Sequence, residues 1–245
     1  MKASKSELKG FRRLTHGLAL AMLLPAAGAR AQETNPTTGE ALPGVPAPAT
    51  EGAKFQLSYG VGLTTNYISK GLTQTDNQPA MQPYVELGYG IGYVGLWASN
   101  ASFGGVYDNE LDVSIGIRPG FGKWSFDLGF VQYFYQKDDA DYGEAYLFGK
   151  YALNDQVTLK AQYYHEVYAN KDWLYVGGSY SDLPWDLTVS GGVGSDFGTN
   201  DFSEDSVAAD IGVTKDLGDH ASIDIRASYS SIEGNRLIAS LAFFN

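Results

Sequence analysis

The sequence predicts an all-β chain closed into a transmembrane, antiparallel, up-and-down β-barrel of about twelve strands, within a range of about 10 to 14. Three observations predict it. Apolar and polar residues alternate over about a dozen short stretches, the links between them alternate between long and short, and aromatic residues gather where those stretches begin and end.

At the N-terminus, Lys2, Lys5, Lys9, Arg12 and Arg13 precede the apolar run GLALAMLLPAAG, and Ala29-Arg30-Ala31 offers a small-residue cleavage site. This is the pattern of a secretory signal peptide over residues 1–31, because Pro25 breaks the apolar run and a spanning helix needs about 20 residues. The segment carries six of the 17 Lys and Arg and one of the 28 Asp and Glu; its removal leaves 11 against 27, a mature net charge near −16. Nucleic acid is thereby excluded as a partner. Cysteine is absent, so neither a disulfide nor a thiolate metal site can form, although export leads to a compartment where disulfides are made. Residues 32–54 contain Pro36, Pro43, Pro46 and Pro48 and almost no large apolar side chain. They cannot bury enough surface to offset their ordering entropy and read as a flexible periplasmic leader. The barrel occupies residues 55–245.

Candidate strands fall at 57–63, 83–91, 93–99, 110–118, 124–135, 143–151, 157–164, 173–180, 185–193, 207–215, 221–229 and 237–244. In ELDVSIGI, residues 110–117, Leu111, Val113, Ile115 and Ile117 take every second position, so they share one face of a pleated strand. Glu110, Asp112, Ser114 and Gly116 take the other. A soluble sandwich would turn the apolar face to a core; an outer-membrane barrel turns it to lipid. Two further features favour the barrel. The links NYISKGLTQTDNQ, NASFGGVYDN, QKDDADY, EVYANKD, GSDFGTNDFSEDS and SSIEGN are long, whereas GIG, PGFGK, LND, SDLP and DLGD between them are short. The polar face is rich in Gly and Ser with scattered charges, which suits the crowded inside of a closed sheet. Lipid-interface belts are expected at Tyr67, Trp124, Tyr151, Trp173, Trp185, Tyr229 and Phe244.

Residues 63–100, LTTNYISKGLTQTDNQPAMQPYVELGYGIGYVGLWASN, and the following ELDVSIGI resemble the opening of the TorF family of bacterial outer-membrane porins. The shared pattern runs through Thr64 or Thr65, Tyr67, Gly71, Gln74, Thr75 and Asp76, then Pro79-Ala80, Gly95-x-Trp97-x-Ser99-Asn100 and Glu110-Leu111-Asp112; DYGEAYL and NRLIASLAF follow later. The resemblance implies a Gram-negative outer-membrane barrel, assembled by the barrel assembly machinery, with no catalytic residue. One departure is the end, where Phe244 is penultimate and Asn245 is last; such barrels usually end on an aromatic residue.

Other motifs weigh little. GxGxxG at Gly90 to Gly95 lies between two strands, with no helix N-terminus to hold a pyrophosphate, and reads as a hairpin turn. His165 and His220 are the histidines left after export, and neither is placed beside an inward Ser and acid, so no enzyme is expected. Asp139, Asp141 and Glu144, or Asp201, Glu204 and Asp205, are hard oxygen ligands without EF-hand spacing, and read as solvated loops. No metal or cofactor is expected. The candidate pore lining is Glu86, Glu110, Asp112, Arg118, Asp127, Glu144, Lys150, Lys160, Asp186, Asp210, Asp224, Arg226 and Arg236. Acids outnumber bases there, and rings of carboxylates favour cations. The expected function is a cation-preferring porin for small hydrophilic solutes in the outer membrane, with membrane lipid as its surroundings. A closed barrel binding through acidic loops, its lumen acids paired with lumen Arg and Lys, is the alternative; a lipid-modifying barrel enzyme is a third.

Overall fold

The computed structural model describes residues 54–137, 142–168, 170–198 and 205–245. The expected signal peptide and all but the last residue of the expected leader lie outside these, as do Asp139, Asp141, Asp201 and Glu204. Among the described residues fifteen strands run in chain order: β1 (Phe55–Thr64), β2 (Ile68–Ser69), β3 (Leu72–Thr73), β4 (Ala80–Tyr89), β5 (Gly92–Phe103), β6 (Val106–Ile117), β7 (Gly120–Phe121), β8 (Trp124–Tyr135), β9 (Tyr142–Ala152), β10 (Val157–Glu166), β11 (Lys171–Leu183), β12 (Leu187–Gly198), β13 (Val207–Asp216), β14 (Ala221–Ser230) and β15 (Gly234–Phe244). All but β2, β3 and β7 are wall strands, and each predicted strand overlaps one of these twelve.

The wall closes. Every wall strand pairs antiparallel with both neighbours, through β6–β8 on one side and β1–β15 at the seam of the two chain ends. The seam runs from Gly60↔Phe244 to Thr64↔Ser240. Asn245 lengthens it: its backbone N–H donates to the Tyr59 carbonyl at 3.2 Å, its side-chain oxygen accepts from the Tyr59 amide at 2.8 Å, and its side-chain nitrogen donates to the Leu57 carbonyl at 2.9 Å. The residue that departs from an aromatic ending thus continues the ladder.

Alternation sorts the faces as the sequence predicts. In β6, Leu111, Ile115 and Ile117 are 44%, 63% and 44% exposed on the outside, whereas Glu110 and Asp112 are 2% and 6% exposed within. Strand β14 repeats the pattern, with Ile223, Ile225 and Tyr229 exposed and Asp224, Arg226 and Ser228 buried. An apolar outside around a charged inside is the reverse of a soluble protein, and wall strands of 10 to 13 residues suit a hydrocarbon core, which takes about 9 to 11 residues per tilted strand.

The links differ from expectation at one end. The short turns are present, and Gly90, at φ 59, opens the two-residue hairpin between β4 and β5. Opposite them, NASFGGVYDN is mostly strand, and in EVYANKD Glu166 ends β10 while Lys171 and Asp172 begin β11. The ladder continues through Asn100↔Asn109 to Phe103↔Val106, leaving Gly104-Gly105 as the turn. Polar residues lengthen these hairpins because beyond the hydrocarbon both faces meet water. The 65–79 link remains long and holds the β2–β3 ladder, Ile68↔Thr73 and Ser69↔Leu72.

Ile225 lies mid-strand on the outer face, opposite Val213 and Ala239. Ile225→Arg is expected to lower the unfolding free energy in lipid bilayers by about 2–4 kcal/mol, against about 0–1 kcal/mol for Val207→Arg at the rim. Denaturant titration in vesicles reads both; equal effects would contradict a lipid-facing belt.

Candidate functional site

The inner wall carries charges that must be compensated, since a buried ion without a partner is strongly unfavourable. Two arginines provide much of that compensation. Arg118 lies just past the end of β6, anchored by its N–H to the Ile91 carbonyl at 2.7 Å. Its guanidinium forks onto Glu86, at 2.5 and 2.8 Å, and its Nε reaches Asp127 at 2.9 Å. It also stacks 3.7 Å from the centre of the Tyr93 ring, whose hydroxyl donates to Asp127 at 2.7 Å and meets the hydroxyl of Tyr146. Across the barrel, Arg226 bonds Asp210 at 2.5 Å, Asp224 at 3.0 and 3.2 Å and the Ser190 hydroxyl at 2.9 Å. Tyr175 donates to Asp210 and Thr214 to Asp224. Gly212, paired with Arg226, leaves room for the guanidinium: a Cβ there would sit 2.7 Å from its Cζ.

A third group is built by the 65–79 segment, which turns back into the barrel mouth. Its tip, Lys70-Gly71, has φ of 50° and 83°, the left-handed pair of a two-residue type I′ hairpin. A Cβ on Gly71 would lie 2.5 Å from that of Ala208 on the inner wall, so only glycine fits the approach. The Lys70 ammonium pairs with Glu144 and lies 4.8 Å from the Tyr164 ring centre. Glu144 also accepts from Tyr133 and Tyr142, each at 2.9 Å. Tyr67 is buried and donates to Glu110 at 3.4 Å, as Tyr135 does at 3.0 Å.

The root of the segment is fastened in turn. Thr75 is fully buried and bonds Asn66 and the Gln78 carbonyl. Asp76 caps the β5–β6 turn, accepting from the amides of Gly105 at 2.7 Å and Gly104 at 3.1 Å and from the Ser102 hydroxyl at 2.7 Å. The Gly105 amide first, and then the Ser102 hydroxyl and the Gly104 amide, hold its carboxyl below the usual aspartate range against a smaller opposing effect of burial.

The structure places most predicted lining residues inside. Glu86, Glu110, Asp112, Arg118, Asp127, Glu144, Lys160, Asp210, Asp224 and Arg226 are buried on the inner face. Lys150 is half-buried and paired in register with Lys160. Arg236 sits at the rim, where it pairs with Glu233 at 2.6 Å and bonds Asn77 at 2.7 Å. Asp186 is a correction. It lies exposed, at φ 57, in the turn before β12, and does not line the wall.

The expected aromatic belts also need correction. Tyr67 belongs to the inward segment. Trp173 is 1% exposed and packs inside with Tyr164, Tyr175 and Phe148; a Cβ on Gly194 would come within 2.4 Å of its ring. Phe244 shares the inward parity of buried Ala242, and Phe243 is the outward ring. Trp124, its ring tilted against Tyr151 at the short-turn end, is exposed, as are Trp185, in a turn rather than a strand, and Tyr229. Lys70 was not among the sequence candidates. His165 bonds Asp172 at 2.9 Å and His220 the Phe244 carbonyl at 3.1 Å.

The chain matches one family of bacterial proteins, Gcw_chp, over residues 48–239. It belongs to the Gcw_chp family, whose function is unknown. Among curated proteins none matches the chain. Solved structures share the fold of this Gcw_chp barrel. The KdgM porin is 13% identical, covers 76% of this chain and 97% of its own and superposes with a TM-score of 0.55; the same values hold for KdgM porin in complex with disordered oligogalacturonate. The NanC porin is 10% identical, covers 77% of this chain and 98% of its own and gives a TM-score of 0.51.

Two predictions follow from the charge networks of the Gcw_chp chain. Arg226→Met strands Asp210 and Asp224 and is expected to destabilise the barrel by about 3–5 kcal/mol in denaturant titration. The triple variant that also carries Asp210→Asn and Asp224→Asn should recover most of that loss; a mild single effect would contradict the pairing. Because the Asp76 carboxyl is held low, its contribution is complete above the ordinary aspartate range and is lost as pH falls through the lowered value. Amide exchange at Gly104 and Gly105 should lose protection in that acid window, and in Asp76→Ala at neutral pH as well; full protection in the variant would contradict the cap.

Proposed function

We propose that this chain is a narrow outer-membrane channel for passive diffusion of small hydrophilic solutes, with a preference for cations. The observation that carries the reading is the reversed polarity of the wall. An apolar exterior suits lipid, and a charged interior gives a path for polar solutes. Among the described residues nine carboxylates are buried, Glu86, Asp108, Glu110, Asp112, Asp127, Glu144, Glu166, Asp210 and Asp224, against three buried bases, Arg118, Lys160 and Arg226. That imbalance raises the local concentration of cations. The fold shared with porins and the likeness of residues 63–117 to the TorF family support the same reading. The polyacid bound by the KdgM porin does not suit an acid-rich lumen, so the solute class is not carried over.

A closed barrel is the second reading, favoured by the complete pairing of Arg118 and Arg226 and by the 65–79 segment seated in the lumen. Planar-bilayer recording of the refolded mature protein under a potassium chloride gradient separates the two. The channel reading predicts discrete conductance steps with a cation-selective reversal potential that moves toward zero in Glu110→Gln/Asp112→Asn. A folded barrel without conductance, or an anion-selective one, would overturn it.

A further inference from the structure

Lys70 enters the lumen as a primary ammonium on a two-residue turn, and what it meets there is a complete recognition site. Glu144, 1% exposed, supplies the counter-charge; the hydroxyls of Tyr133 and Tyr142 donate to that carboxylate and hold it in place; the face of Tyr164 lies 4.8 Å from the nitrogen. A fixed carboxylate beside an aromatic face selects an organic cation, since the ring adds attraction that a strongly hydrated metal ion gains less from. All four wall residues belong to β8, β9 and β10, whereas Lys70 belongs to a link with only two-residue strands of its own. The site is therefore built by the wall, and its occupant is carried by a link between wall strands.

A second acid lies within electrostatic reach of it. Glu110 is 2% exposed, and both phenols that reach it, Tyr67 and Tyr135, bond the same oxygen, Oε1. Among the described residues its other oxygen, Oε2, is buried without a hydrogen-bond partner. A buried carboxylate oxygen left unmatched in a lumen is placed to accept a hydrogen bond from a solute donor. Glu110 and Glu144 lie within electrostatic reach of each other. One acid is thus occupied by the protein's own ammonium, and the neighbouring acid has an open oxygen.

We propose that Glu144, with Glu110 beside it, is a binding site for a primary-ammonium solute, and that Lys70 is a tethered stand-in for that solute, displaced when it binds. The proposal deepens the channel reading and rests on it for the solute's route into the lumen. An internal competitor scales the apparent affinity down to the intrinsic affinity times the fraction of time that it vacates the site, so removing it should tighten binding.

The test uses the mature chain folded in detergent, with heat-dependent gel mobility as the check of folding for each variant. Cadaverine (1,5-diaminopentane) is the probe, and 1,5-pentanediol and potassium chloride are the controls; binding is read by isothermal titration calorimetry. Lys70→Met is expected to bind cadaverine at least about tenfold more tightly than the wild type, and Lys70→Met/Glu144→Gln to lose that gain. Should Lys70→Met not fold, Lys70→Gln, which keeps a polar end without the charge, is read in its place. In the wild-type protein, amide exchange over residues 65–79 should speed up with cadaverine and not with the diol. Equal affinity in the wild type and the Lys70 variant, equal binding of the diol, or an equal response to potassium would overturn the proposal. Calorimetry and exchange need no conductance, so a barrel that binds cadaverine but stays silent in a bilayer would refute the channel alone. One that conducts but ignores cadaverine would refute this site alone.

Discussion

A backbone amide or carbonyl in hydrocarbon has no water to turn to, so each must find a partner within the wall. That constraint organises the molecule. It requires the sheet to close, which brings β6 to β8 and the first strand to the last, and it makes the seam between the chain ends as necessary as any hairpin. Asn245 belongs to this logic, since its side-chain amide supplies a donor and an acceptor where the ladder would otherwise end. Once the sheet is closed, a period of two leaves each residue only lipid or lumen to face.

The lumen then inherits most of the charges of the wall, and the structure handles them in two ways. Each of the two buried arginines gathers two carboxylates, Arg118 with Glu86 and Asp127 and Arg226 with Asp210 and Asp224. Tyrosines do the rest. Tyr93, Tyr133, Tyr135, Tyr142 and Tyr175 fill space with their rings while donating hydroxyl hydrogens to carboxylates, a combination that Phe or Leu could not provide. The high tyrosine content, 17 in the chain, has its explanation here at least as much as at the membrane surface. The 65–79 segment completes the arrangement by bringing a cation to Glu144, which sits among phenols and is reached by neither Arg118 nor Arg226.

The wall was legible from sequence because alternation is a local signal with a forced geometric meaning, and in ELDVSIGI it assigns both faces correctly. Where alternation fails, so does the reading. In residues 173–176, Trp173, Leu174, Tyr175 and Val176 are all apolar or aromatic, so parity cannot say which pair faces inward; Gly194, which makes room for the Trp173 ring, lies on another strand. Asp186 looked like an inward charge because the strand was begun at Trp185, two residues before the ladder starts at Leu187. Tyr67 and Lys70 lie in a link, where no period applies. The left-handed Lys70-Gly71 pair was the available signal for a hairpin within NYISKGLTQTDNQ, but nothing local shows that such a hairpin turns inward. That depends on the fit of Gly71 against Ala208, which only the closed barrel creates.

The central claim is that the two faces of the wall meet opposite surroundings, lipid outside and a charged lumen inside. The cysteine-free chain allows a direct measurement: single cysteines at each position from 111 to 117, each labelled with an environment-sensitive fluorophore, in vesicles containing brominated lipid. Quenching at 111, 113, 115 and 117 with none at 112, 114 and 116 is the predicted result. Quenching of the even positions, or a profile without a period of two, would contradict it.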